Sequence, residues 1–80
     1  MMSPEQCRAA RAWLGWSQQE LARRAHLRLS TVKGFERGGR TPIANNLDAM
    51  TRVIEAAGVR LVFCDGKPAG IEVADPGGSA

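Results

Sequence analysis

The chain has 80 residues, eleven Lys/Arg against eight Asp/Glu, a formal charge of +3, one His, two Cys and no Tyr. That length allows one domain with a small core; elements that cannot cover their own apolar faces are expected to find a partner subunit, so dimerisation is the default expectation. Two isolated cysteines exclude a C-x-x-C metal set, and a longest apolar run of Val59 to Cys64, already broken by Arg60, excludes a spanning helix or secretory leader, so a cytoplasmic location with reduced thiols is expected.

The charge is unevenly placed. Residues 1–44 carry eight Lys/Arg against three Asp/Glu, whereas residues 45–80 carry three against five. A basic first part joined to a mildly acidic remainder suits a polyanion reader with a separate association element.

In chain order, Ser3-Pro4-Glu5-Gln6 opens a helix: Ser3 caps, Pro4 has the φ favoured at the first position, and Gln6 stands three after the cap. Cys7, Ala10 and Leu14 line one face, and the helix ends near Gly15. Trp13, off that stripe, and Trp16, in the connection, read as packing residues; both cysteines read as buried or half-buried thiols. Arg8 reads as a solvated side chain or at most a distant phosphate contact. Ser17-Gln18-Gln19-Glu20 repeats the start signal, with Glu20 reaching back to the Ser17 N–H, for a helix over 18–25. A third short helix over about 29–37 follows after a turn too short to hold anything else.

Leu21, Ala22 and Ala25 share one face of the second helix, Val32 and Phe35 one face of the third, and Leu27 plugs between them. Arg28, Ser30, Thr31, Lys33, Arg37 and the small Gly34 face away. Gly38 is placed to end this helix in a left-handed conformation. Asn45, with Asp48 three residues later, starts a fourth helix on which Leu47, Met50, Ile54 and Ala57 recur at helical spacing, closed by Gly58. The period then changes: Val59, Leu61 and Phe63 alternate with Arg60 and Val62, Asp65-Gly66 signals a tight turn, and a second β run spans Ile71 to Val73. Pro68 and Gly70 make the return strand an irregular edge, and the hairpin should pack on the fourth helix or join a sheet from a second subunit. The plan is a helical unit over 1–58, a hairpin over 59–74 for dimerisation or packing, and a flexible tail over 75–80.

S-Q-Q-E-L-A at 17–22, T-V-K-G-F-E-R-G at 31–38 and R-T-P at 40–42 resemble the helix-turn-helix of the phage repressor and Cro group, the bacterial class called XRE-type regulators. The resemblance covers roughly positions 5–57 and implies a mainly α fold, a four-to-five-helix lambda-repressor-like domain, here with a short C-terminal β-hairpin. The family usually has Gly where this chain has His26, so His26 is expected to take a left-handed backbone at a cost of about 1–2 kcal/mol. The resemblance also implies that Arg11 pairs with Glu36, a partly buried structural ion pair, and that Gln18 contacts the DNA backbone and braces the recognition helix. Gln18, at the positive end of a helix dipole, suits a phosphate.

The mechanism expected is equilibrium recognition of double-stranded DNA. Gln18, Arg37, Arg40 and Thr41 are candidate phosphate contacts; Arg28, Leu29, Ser30, Thr31 and Lys33 are candidate base readers by their match to the family's reading positions or their neighbours. Arg or Lys can bond guanine O6 and N7, and Leu29 or the Thr31 methyl can pack on a thymine methyl. Leu29, where many relatives are polar, implies either a thymine-rich half-site or a side chain turned back into the turn. Gly34 either lets the backbone approach the groove or is merely tolerated. One His, no Gly-rich phosphate loop and no carboxylate pair beside His26 or a cysteine argue against an enzyme, and no metal or cofactor is expected. The function implied is a homodimeric transcriptional regulator, most simply a repressor; the alternatives are an antitoxin that clasps a toxin and represses its own promoter, or a protein-interaction module.

Overall fold

The computed structural model describes residues 1–39 and 41–73, so Arg40 and the tail over 75–80 lie outside the described residues. Four helices, α1 (Pro4–Leu14), α2 (Gln18–Ala25), α3 (Leu29–Glu36) and α4 (Ala44–Ala56), precede two strands, β1 (Val59–Cys64) and β2 (Lys67–Val73), paired as an antiparallel hairpin. Leu21, Val32, Met50, Ile54 and Val59 are the largest apolar side chains with essentially no exposure, so every element except β2 places a residue at the centre or, for α1, Cys7 and Ala10 beside it.

The local signals act as their chemistry dictates at most boundaries. Ser3 and Gln6 form a reciprocal capping box on α1, and Gly15 ends that helix at φ 71°. The Ser17 hydroxyl accepts from the Glu20 N–H at 2.9 Å, but Glu20 does not reach back. Its carboxylate takes Arg23 and Arg24 instead, the latter at 2.6 Å, because two cations one turn ahead outbid a neutral amide. His26 ends α2 at φ 58°, ψ 42°. The Leu27 N–H bonds the Ala22 carbonyl at 2.8 Å and the His26 N–H the Arg23 carbonyl, which closes the helix as a Schellman turn without glycine and seats Leu27 against the core. Gly38, at φ 77°, does the same for α3, with the Gly39 N–H on the Gly34 carbonyl at 3.1 Å.

Two expected boundaries differ. The residue flanking α4 is Ile43, not Asn45, and no side chain caps that helix; Ile43 is extended just ahead of Ala44. Ala57 lies past the helix end and is exposed, while Leu47, Met50 and Ile54 are buried. Strand β2 begins at Lys67 rather than at Ile71, because Asp65 (φ 53°) and Gly66 (φ 77°) make a turn whose twist pairs Cys64 directly with Lys67. The register then slips by one residue, Phe63 facing Pro68 and Val62 facing Gly70, so Ala69 bulges out.

The bulge is held from outside the sheet. Gln6, 3 % exposed on α1, donates from Nε2 to the carbonyls of Val62 and Gly70, each at 2.9 Å, while its Oε1 accepts from the Ser3 N–H. Sequence periodicity missed Gln6, which lies beside the apolar stripe, and also Met2, 4 % exposed ahead of it. The hairpin packs β1 on α4 and β2 on α1 of its own chain, burying Val59 and Leu61, while Arg60 and Glu72 pair on the outer face. Phe63 is 40 % exposed and Cys64 is exposed, since both lie past the bulge near the turn. Trp13, read as packing, is 58 % exposed on the outer side of α1; Trp16 packs at the core edge beneath the Arg24 guanidinium, 4.3 Å from the ring centroid.

Two stability measurements follow from this geometry. His26→Gly relieves the left-handed backbone and is expected to raise unfolding free energy by about 1 kcal/mol in urea titration. Gln6→Ala leaves the Val62 and Gly70 carbonyls and the Ser3 N–H without their shared partner and is expected to cost about 2–3 kcal/mol in the same assay.

Candidate nucleic-acid interface

Helices α2 and α3 are joined by a turn of three residues, His26, Leu27 and Arg28, and pack on each other through Leu21, Ala22, Val32 and Phe35. Positions 30, 33 and 34 of α3 and 37 at its C-cap recur three and four apart and so share one face. Ser30, Lys33 and Arg37 are exposed there. Arg28 flanks the helix with an extended backbone and no capping bond, exposed, and Leu29 begins the helix half-buried, between the two orientations its sequence left open.

Beside this face runs an open cleft. It is lined by Ser30, Thr31 and Gly34 from α3, by Arg37, Gly39, Thr41, Pro42 and Ile43 from the connection, and by Asn46 from α4. Ser30, Thr31, Gly34, Arg37 and Thr41 are thus brought to one place, while Lys33, Arg28 and Leu29 stand along or at the head of α3 outside its lining. Asn46 and the 68 % exposed Ile43 were not singled out in the sequence; they line the cleft from α4 and the connection before it, a placement no local pattern encodes.

Gly34 is buried rather than exposed, at the floor of this cleft, yet a Cβ built on it would meet nothing within 4 Å. A helix-interior Gly costs about 1 kcal/mol relative to Ala. Nothing in the protein's own packing requires that cost.

Away from the exposed face, Glu36 closes α3 with 2 % of its side chain exposed. Arg11 donates to it twice, Nε to Oε2 and Nη2 to Oε1, each at 2.7 Å. Gln18 Nε2 donates to Oε1 at 3.0 Å, and the Cys7 thiol to Oε2 at 3.1 Å. Arg8, expected in solvent or at a phosphate, is exposed and in addition donates to the Glu36 main-chain carbonyl at the end of α3. Burial by itself pushes the Glu36 carboxyl up, but the Arg11, Cys7 and Gln18 hydrogen bonds together outweigh it and hold the group below the usual carboxylate range.

The cations are sorted by their partners. Arg8 meets Glu5 and the α3 carbonyl, Arg11 meets Glu36, Arg23 and Arg24 meet Glu20, and Arg60 meets Glu72. Among the described residues, Arg28, Lys33 and Arg37 have no acidic partner; Arg52 and Lys67, on α4 and the hairpin, share that state away from α3. A row of uncompensated charge at and along one helix, beside a cleft, is the electrostatic form of a polyanion surface.

A helix-turn-helix family model matches residues 8–56, more than half of the chain. The chain belongs to the XRE-type helix-turn-helix family. No curated protein matches it. As a member of this family it is a DNA-binding regulator, and α3 is the second helix of its helix-turn-helix. No helix among the described residues is long and apolar enough to cross a membrane.

In this XRE-type domain the Arg11–Glu36 pair ties α1 to α3, and removing one partner leaves a buried charge without its counterpart. Arg11→Ala is expected to lower unfolding free energy by about 3–5 kcal/mol at neutral pH. The depressed Glu36 carboxyl contributes stability that is present above the unfolded carboxyl value of about 4.3 and is lost as pH falls through the lower folded value. Urea titrations across that window are expected to show wild type and Glu36→Gln converging as pH falls.

Proposed function

We propose that the protein is a transcriptional repressor that binds a two-fold DNA site as a homodimer, with α3 in the major groove. Ser30, Thr31 and Lys33 would then lie at base edges, with Arg28 and Leu29 at the head of the helix. Gln18, Arg37, Thr41 and, from the sequence, Arg40 would hold phosphates and set register. Lys33 suits guanine O6 and N7, and the methyl of Thr31 or the side chain of Leu29 suits a thymine methyl. Occupying such a site blocks polymerase without any chemical step, which is the sense in which this is a regulator and not an enzyme.

The observation that supports this most is Gly34. Its missing side chain leaves space that the protein does not fill, at the floor of a cleft flanked by Arg37 and Thr41. A backbone that is bare on the side facing a partner allows closer approach than any side chain would. The cation sorting agrees, since Arg28, Lys33 and Arg37, without acidic partners among the described residues, lie on or beside α3, Arg37 at the cleft itself. Dimerisation is supported by arithmetic: one α3 reads only a few base pairs, and two-fold sites are read by pairing such modules.

Gly34→Ala separates stability from binding. It should leave the fold at least as stable, by up to about 1 kcal/mol, yet weaken DNA binding about tenfold or more, read by titration of labelled duplex at fixed salt. Selection from a randomised duplex library should recover a two-fold motif with half-sites about 10 base pairs apart. Against that motif, Lys33→Ala should relax sequence preference, whereas Arg37→Ala should weaken all duplexes alike and reduce the salt slope by about one. Equal affinity for every duplex would remove the repressor reading.

A further inference from the structure

One buried group has no part in the contacts proposed above. Cys7 is fully buried on α1, with its Sγ 3.1 Å from Glu36 Oε2. A cysteine in a helical core stripe needs no polar partner, because it packs as a small hydrophobe and its S–H is a weak donor. Here the thiol is nonetheless aimed at a carboxylate. The two Glu36 oxygens each take two donors: Oε2 takes Arg11 Nε and Cys7, and Oε1 takes Arg11 Nη2 and Gln18. A carboxylate has about four acceptor positions, so the set is complete and the carboxyl plane has one orientation.

The thiol remains a donor throughout. Burial first, then the hydrogen bond and charge of Glu36, push its ionisation well above the ordinary range, and Arg11 and Arg8 offset this only in part. Gln18 is the far end of the same arrangement. One Nε2 hydrogen goes to Glu36, which leaves the second N–H and the carbonyl of the amide facing a direction that the Glu36 plane determines.

We propose that Cys7 is a positioning residue for DNA binding: by holding Glu36 Oε2 it fixes the carboxylate against Arg11 and thereby fixes how Gln18 presents its remaining N–H to a phosphate. This rests on Gln18 being a phosphate contact, as proposed above. Cys7 itself is too deep to touch DNA. A residue that only filled space would change stability and leave the Gln18 amide where it is.

The test is a double-mutant cycle of Cys7→Ala and Gln18→Ala with Cys7→Ser as the conservative variant, read as DNA affinity at fixed salt on protein shown to be folded by circular dichroism. Cys7→Ala is expected to weaken binding about fivefold in the wild-type background and to have no further effect in Gln18→Ala, while Cys7→Ser, which keeps a donor, stays within about twofold of wild type. The infrared S–H stretch of the wild-type protein needs no variant: the Cys7 band is expected at lower frequency than that of the exposed Cys64, and Cys7→Ala is expected to move the side-chain amide resonance of Gln18. An undisplaced Cys7 band, or an equal cost of Cys7→Ala on both backgrounds, overturns the positioning role and leaves the Gln18 contact standing. If Gln18→Ala binds as tightly as wild type, the phosphate contact itself fails, and the role of Cys7 in DNA binding fails with it.

Discussion

A carboxylate taken out of water costs several kcal/mol unless every lone pair finds a donor, and the arrangement around Glu36 is built on that constraint. Arg11 supplies the opposite charge with planar two-point geometry, while Cys7 and Gln18 fill the positions the guanidinium does not reach. Those donors come from α1 and α2, and Glu36 ends α3, so one side chain relates three helices. Net stabilisation by such a pair is small. What it contributes is angle: α3 cannot turn about its axis relative to α1 without stripping a buried charge. For a helix proposed to present side chains to a groove, rotation is the degree of freedom that matters.

The rest of the small core supports that frame from the other side. The hairpin is no free-standing appendage, because two strands alone are marginal in water. Val59 and Leu61 are buried in the core, and the Gln6 amide bonds both carbonyls at the bulge. The slip at Ala69 lets β2 fit beside α1 while the polar Arg60–Glu72 pair stays in solvent. Val59 and Leu61 are thus covered by their own chain, while Phe63 near the turn stays exposed.

Charge follows the same division of labour. Glu36 and Glu20 hold Arg11, Arg23 and Arg24 on the protein itself, whereas Arg28, Lys33 and Arg37 on or beside α3 find no acid among the described residues. Net charge alone, at +3, conceals this. Placement decides it, since an ion pair within the chain is screened and partly neutralised before any partner arrives.

Much was legible in the residues alone. Capping residues, apolar periods and glycine or His26 at helix ends depend on neighbours within one or two turns, so α1, α2 and α3 are readable without tertiary information, as is the Asp65-Gly66 turn. The family pattern over 17–42 carried the recognition unit. Tertiary structure decided what depends on contacts far apart in sequence: Gln6 and Met2 in the core, Arg8 on the end of α3, the bulge at Ala69, Trp13 in solvent, and the meeting of Asn46 and Ile43 with the cleft. It also decided that Gly34 lies at a floor with room above it. Local sequence specifies which elements form because their hydrogen bonds close within a few residues; which polar groups must be satisfied across the core is settled only when the elements pack.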